Sequence, residues 1–494
     1  MSQEDSCERP DHASSAAGLP AQMVSPTPDA RSCSRQIEIN GRNVEYQVET
    51  WPFSVRSRDG KTVSTVTSFT YRTTERAADE RPVVFIFNGG PGSSSGFLHF
   101  SGIASKRVDF EVGDPVQPPF RIIDSEFSLL DVADLVFIDP AATGYSPFAQ
   151  PGSGAQVYGV DADARVTAAF IRHWLYHFKR WNSPRFVVGE SYGSIRAAVV
   201  CRELMGGIPI GEFPAVTLNG VILVGQAMNL TQTTQVPAND VAFTLLLPSM
   251  AATAWYHKTA GIGTALEDHI RRARDFALHR LLPVLIRGNT AVDRDRNAVA
   301  IECGELTGLK SKYVLDRDLR ITAREFAQEL LSDRGLLVGV YDGRMIAGKP
   351  SGALDIVGTD PSMTQLGPLF ANAINVYLTN DLGFADQAYR FIDFSDSLEG
   401  WDWNVRGHNR YYMDVSSILG NAMRLNSRMR VLCVTGRFDL MTPMMAAEWE
   451  LSHGGMPVDR TRLVYQDGGH MPYVGREAAQ AFATAIRNLI TDTT

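Results

Sequence analysis

The chain has 494 residues, 44% of them hydrophobic and 21% charged, with a formal net charge of -8 at pH 7 and a pI near 5.7. Such a chain can bury one large core and still carry a substantial insertion. Its lysines and arginines are scattered rather than clustered, which argues against nucleic acid or a polybasic membrane patch as partner, so the expected ligand is small or peptidic.

The first 35 residues, rich in Ser, Pro and Ala, read as a disordered tail. They lack a basic start followed by an apolar stretch, and no later run is apolar for long enough to span a bilayer, so a soluble, cytoplasmic protein is expected. The five cysteines, Cys7, Cys33, Cys201, Cys303 and Cys433, are odd in number, widely spaced and without a CxxC pair. Cys433, inside RVLCV, reads as a buried thiol, and a bond between the tail residues Cys7 and Cys33 is open but not needed.

From Gln36 the alternation in IEINGRNVEYQV around Asn40-Gly41 predicts a β-hairpin, and TVSTVTSFTYR continues with β-branched and aromatic residues. Short apolar runs of the fully buried kind follow: VVFIF, DLVFID, RFVVG, GVILVG, RVLCVTG and TRLVYQ. Several alternate with helical stretches, notably Asp161 to Trp181 and Ser194 to Met205, which predicts an α/β fold around a mainly parallel sheet. Between 226 and 406 the strand rhythm stops and apolar residues recur at helical spacing, so a helical cap insertion is expected there, without a convincing buried strand. The core is thus expected in two parts, 36–225 and 407–494, with the cap over the carboxyl ends of the strands where ligands bind in such sheets.

Three positions in this frame carry chemistry. GESYG, Gly189 to Gly193, is G-x-S-x-G between an apolar strand and a helical run, the context in which small flanking residues permit a sharp turn exposing a serine hydroxyl. Ser191 is the candidate nucleophile. GRFDLMTP places Asp439 just past a strand end and YQDGGHMPY places His470 in a glycine-rich loop, giving the order Ser, Asp, His expected of an orienting acid and a general base. The loop FNGGPGSSSG after VVFIF is flexible and small enough to offer backbone N–H groups to a substrate oxyanion, the second donor being the residue after the nucleophile, Tyr192. A plain tight turn would use the same glycines.

Other motifs carry less. His173 and His177 in HWLYH share a helix face but lack the intervening glutamate of H-E-x-x-H, so no metal is expected. GELTGLKS has Leu309 where a P-loop needs lysine directly after glycine, and no cofactor is expected.

FNGGPGSSS, FIDPAATGYS, GESYG, GRFDLMTP and GGHMPY, in this order and with a helical insertion before the last two, resemble the serine carboxypeptidase family of α/β-hydrolases, and bacterial members in particular, from Gln36 to the C-terminus. The resemblance implies a catalytic triad of Ser191, Asp439 and His470 and an oxyanion hole formed by Gly90 and Tyr192. It also implies binding of a substrate's terminal carboxylate by Asn88, Gly89 and Glu190. The implied activity is release of C-terminal residues from peptides through an acyl-enzyme. The alternative is acyl transfer or a specialised esterase, since relatives pass the acyl group to an alcohol or amine, and a third reading is a binding protein that keeps an inactive hydrolase fold. Two positions depart from the family's eukaryotic pattern. Ser93 stands where those members have a disulfide-bonded cysteine, and GFLHFSGIASK lacks the second glutamate that shares a proton with the first. His99, Lys106 and Arg107 are candidate positive partners in its place.

Overall fold

A computed structural model describes residues 30–57, 59–73, 80–149, 153–206, 215–349, 360–384, 388–393, 400–408 and 412–494. The strands are β1 Ser32–Ile39, β2 Arg42–Arg56, β3 Thr62–Thr73, β4 Val83–Phe87, β5 Lys106–Val108, β6 Ile122–Asp124, β7 Asp134–Asp139, β8 Arg185–Glu190, β9 Gly220–Val224, β10 Leu336–Val338, β11 Ile346–Gly348, β12 Arg430–Gly436 and β13 Thr461–Gln466. Nine of them form one sheet in the order β1-β2-β3-β7-β4-β8-β9-β12-β13. From β7 to β13 all neighbours are parallel, and β1, β2 and β3 add an antiparallel edge that joins at β7.

The fold is therefore the expected α/β arrangement, and its local causes are visible. The β1–β2 hairpin turns on Asn40 and Gly41, both at positive φ (51° and 73°), the conformation a two-residue hairpin turn requires and that Asn and Gly tolerate best. The parallel strands read as unbroken apolar runs because both faces are covered, and every residue of β4, β7 and β9 is buried. The helices Val160–His177 and Tyr192–Leu204 close one face, while Arg476–Thr493 and the insertion helix Pro361–Val376 pack on the other.

Two expectations need correction. Cys33 belongs to β1, paired with Val48, so the ordered core begins before residue 36 and not after a tail that reaches 35; Cys7 lies outside the described residues. The insertion also holds a small hairpin, β10 with β11, beside its helices. These strands are three residues each, too short to leave a period in the sequence, and the segment that joins them is held by main-chain hydrogen bonds to distant loops.

At the amino-terminal edge of the parallel strands lies a fully buried ionic knot. Asp134 on β7 accepts from Arg81 Nε at 2.6 Å and from Arg180 Nη1, and takes the Thr73 N–H at 3.2 Å. The two guanidinium groups also cap the Ala133 and Arg81 carbonyls at 2.7 and 2.6 Å. Replacing Asp134 by Asn leaves two cations in the core with no anion between them, so unfolding should become easier by about 3–5 kcal/mol. Chemical denaturation of the purified variant measures this, and stability within about 1 kcal/mol of the parent contradicts it.

Candidate active site

The turn around Ser191 carries glycines where a larger residue would collide with backbone. Ser191 follows β8 at φ 57° and ψ -125°, a conformation costly for a residue with a side chain, and the helix Tyr192–Leu204 starts immediately after it. A Cβ at Gly189 would lie 2.1 Å from the Gly193 carbonyl oxygen, and one at Gly193 would lie 3.0 Å from the carbonyls of Phe87 and Asn88. The Ser191 N–H donates to Val224 O at 2.8 Å, and its carbonyl accepts from Ser194 N–H at 2.8 Å and Ser194 Oγ at 2.6 Å. Ser194 Oγ in turn accepts from the Ala227 N–H at 2.8 Å, so Ser194, which the motif leaves unspecified, ties the elbow to the end of β9.

Beside the elbow runs the turn that follows β4. Phe87 pairs in register with Gly189, so two parallel neighbours deliver their turns at the same level. A Cβ at Gly89 would fall 2.5 Å from both the Tyr192 nitrogen and the Glu190 carbonyl oxygen. Tyr192 is the first residue of its helix, so its N–H has no intrahelical acceptor, and the Gly90 N–H has no protein acceptor among the described residues. Two free amides at adjoining turns next to a serine hydroxyl form a donor pair suited to a developing oxyanion.

The acid and base come together at the carboxyl ends of β12 and β13. His470 Nδ1 lies 2.9 Å from Asp439 Oδ2, with both residues buried. Asp439 also accepts the N–H groups of Met441 and Thr442 at 2.8 Å each and the Thr442 hydroxyl at 2.5 Å. That hydroxyl stands 2.9 Å from His470 Nδ1, so Thr442 bridges acid and base, a role no sequence motif announced. Burial alone would lower the imidazole's pKa, but the charge and hydrogen bond of Asp439 outweigh it and the net shift is upward. His470 Nε2 is buried without a hydrogen-bond partner, leaving it free to exchange a proton. The ring lies against Gly225, where a Cβ would sit 3.0 Å from Nδ1, and Gly225 directly follows the residue that accepts the Ser191 N–H. Ser191, Asp439 and His470 thus gather at one place, although no hydrogen bond joins Ser191 Oγ to His470 among the described residues.

The insertion takes part in this geometry. Its segment 340–344 accepts the Leu440 N–H on Val340 O at 3.1 Å and the His470 N–H on Tyr341 O at 2.6 Å, and donates the Gly343 N–H to Phe438 O at 2.9 Å. Arg344 adds a bond to Asp467 O at 2.6 Å. The loops of acid and base are therefore fastened to the same strap.

Glu190, the residue before the nucleophile, is buried and accepts from Tyr473 Oη at 2.7 Å. Burial pushes its pKa up to about 7, against the opposing effects of His470, Tyr473 and the Asn88 side chain. Asn88 meanwhile accepts the Leu98 N–H at 3.1 Å on its own Oδ1. The candidate cations do not reach Glu190. His99 lies flat on Phe137, with centroids 4.2 Å apart, and burial lowers its pKa to about 3, so it is neutral. Lys106 pairs with Asp124 at 2.7 Å and Arg107 with Glu126 at 3.1 Å. Tyr473 takes the place expected of a charged partner; it is the last residue of the GGHMPY motif, and only the folded chain brings it to Glu190. His173 and His177 pack on the rings of Phe53 and Trp51, at 4.9 and 5.3 Å between centroids.

Known proteins resemble this chain in sequence and fold. Residues 62–272 match the sequence model of the serine carboxypeptidase family. Serine carboxypeptidase-like 8 of Arabidopsis thaliana is 28% identical over 153 residues, covering 30% of this chain and 34% of that protein. Serine carboxypeptidase 1 of Hordeum vulgare is 27% identical over 153 residues, covering 30% of each. The match thus spans about a third of the length of these relatives. In three dimensions the chain aligns with a prohormone-processing carboxypeptidase from Saccharomyces cerevisiae at TM-score 0.56 and 13% identity, covering 90% of this chain and 91% of that one, a likeness of fold.

The contact at Gly89 yields a direct test. Gly89→Ala forces a methyl group into the Tyr192 amide, so labelling of Ser191 by a fluorophosphonate should slow by at least about 100-fold, the scale of losing one oxyanion donor, while circular dichroism stays unchanged. Labelling at the parent rate contradicts the assignment of this turn.

Proposed function

We propose, from the match of residues 62–272 to the serine carboxypeptidase family, that the chain is a serine hydrolase of that family that releases C-terminal residues from peptides through an acyl-enzyme. The observation that carries this reading is the Asp439–His470 couple, 2.9 Å apart, beside a half-buried serine held at a sharp elbow. His470 removes the Ser191 proton as the hydroxyl attacks the scissile carbonyl, and Asp439 orients the imidazole and stabilises its charged form. The Gly90 and Tyr192 amides receive the negative oxygen. His470 then protonates the leaving amine and activates the water that deacylates Ser191.

End recognition falls to Glu190, Asn88 and Gly89. Glu190, with its pKa raised to about 7, is mainly neutral below that pH and then donates a hydrogen bond to a substrate carboxylate, whereas its ionised form repels it at close range. Acyl transfer is the second reading, favoured by the acid-free segment 96–106 beside this carboxyl, whose histidine is neutral and buried. Partitioning of one acyl-enzyme between water and added amine decides between the two. We also propose a cytoplasmic setting. It is supported by Cys33, Cys201, Cys303 and Cys433, which are free thiols among the described residues; cell fractionation tests it.

Two outcomes test the function. Ser191→Ala and His470→Ala should each lower turnover of a peptide substrate by roughly 10⁴-fold or more with the fold intact. Near-normal turnover by purified Ser191→Ala protein rules out the triad. The second test uses pH. An ester lacking the carboxylate reports His470 alone and loses kcat/KM as pH falls through the raised imidazole pKa. A free-acid peptide adds Glu190, so its KM should also rise as pH increases through about 7, and Glu190→Gln, a donor at every pH, should flatten that rise. An unchanged alkaline rise in the Gln variant assigns it to another group.

A further inference from the structure

Behind the oxyanion turn lies a buried charge pair to which no motif assigned a role. Arg196 is one helical turn after Tyr192 on the helix Tyr192–Leu204, so the two side chains share a face. Its guanidinium, from a side chain 1% exposed, donates through Nε to Asp163 Oδ2 at 2.7 Å and through Nη1 to the Asn88 carbonyl at 2.5 Å. It also stands 5.2 Å from the ring centroids of both Phe87 and Tyr192. Asp163, on the helix Val160–His177, accepts the Tyr192 hydroxyl at 3.3 Å as well. Trp401 and Trp403 close the far side of the Tyr192 ring edge-on, at 5.3 and 5.8 Å.

We propose that Arg196 and Asp163 are positioning residues for the oxyanion hole, one guanidinium fixing the Asn88–Gly89 peptide while its carboxylate partner fixes the tyrosine that supplies the second amide. This rests on the hydrolase reading above. The argument is one of rigid planes. The Gly90 N–H shares a peptide plane with the Gly89 carbonyl, which the Ser93 N–H holds at 3.1 Å. The preceding plane carries the Asn88 carbonyl, held by Arg196. With both planes flanking Gly89 clamped, a residue that would otherwise be free to rotate keeps its neighbour's N–H aimed. On the other turn, the Tyr192 N–H shares a plane with the Ser191 carbonyl, held by Ser194, and the Tyr192 side chain is gripped by Asp163 and Arg196. The pair thus spans both donors, and a planar fork is needed to serve an anion and a carbonyl at once, which lysine cannot do.

The test uses the full chain with two variants. Arg196→Lys keeps the charge but not the fork; Asp163→Leu with Arg196→Met removes both charges together and leaves no unpaired ion in the core. Each is assayed for kcat and KM, for inhibition by a peptide aldehyde, whose adduct with Ser191 places an oxyanion in the hole, and for inhibition by the product peptide, which does not. The expected result is a fall of about 10- to 100-fold in kcat and in aldehyde affinity, with KM and product affinity changed by less than about 3-fold. Wild-type kcat in a folded variant overturns the proposal, as does an equal loss of aldehyde and product affinity, which a merely structural role would give. Should the double variant not fold, Arg196→Lys alone decides by the same criteria. Ser191→Ala is run alongside. If it retains turnover, the hydrolase reading has failed; if it is inactive while Arg196→Lys behaves as wild type, only the positioning role has failed.

Discussion

There is no room for a side chain between Gly89 and the Tyr192 amide, and much of the molecule is arranged to keep that contact. A Cβ there would sit 2.5 Å from the nitrogen, so the backbones of two turns meet directly. Such an approach is possible only if β4 and β8 are parallel neighbours in the register that sets Phe87 beside Gly189. Parallel strands need covered faces and crossover connections, which explains the unbroken apolar runs and the intervening helices. The glycines at 89, 189 and 193 are then consequences of one packing constraint.

Acid and base obey a second constraint of a different kind. Asp439 and His470 sit on loops after β12 and β13, both encoded beyond the insertion, yet the strap at 340–344 comes from inside it. Tyr341 O receives the His470 N–H, while Val340 and Gly343 bind the loop of Asp439 on either side of that acid. The insertion also bonds to the oxyanion turn, where Phe391 O accepts from Ser94 N–H at 3.0 Å and Oγ at 2.9 Å. Tyr389 Oη reaches the buried Asp139 at 2.7 Å. The insertion is therefore part of the frame that holds Asp439, His470 and the turn after β4 in place.

How much of this could be read from sequence follows from the range of the forces. Hairpin, elbow, parallel strands and the loops of acid and base were legible because each rests on residues adjacent in the chain, such as Asn40-Gly41 or Gly189 to Gly193. Thr442, Ser194 and Tyr473 were not, since a hydroxyl gains its role from what the fold sets opposite it. Tyr473 and Glu190 are 283 residues apart. His99 shows the converse error: its charge looked available in sequence, but it lies on Phe137 with Tyr71 Oη 2.5 Å from its Nε2, and burial keeps it neutral. Strands of three residues, such as β10 and β11, leave no period to detect, and β1 starts within a stretch whose composition suggested a tail.

The site holds two buried carboxyl groups in unlike surroundings, and the difference assigns their work. Four donors converge on Asp439, from Met441, Thr442 twice and His470, and its carboxylate raises the pKa of the imidazole beside it against the effect of burial. Glu190 has the Tyr473 hydroxyl and the Asn88 side chain, and burial leaves it half-neutral near pH 7. Were both ionised, a substrate carboxylate would enter against a second negative group in a medium that screens poorly. Under the proposed function a protonated Glu190 receives the substrate's carboxylate while Asp439 serves the imidazole, and burial, against the donors around it, is what raises the Glu190 pKa.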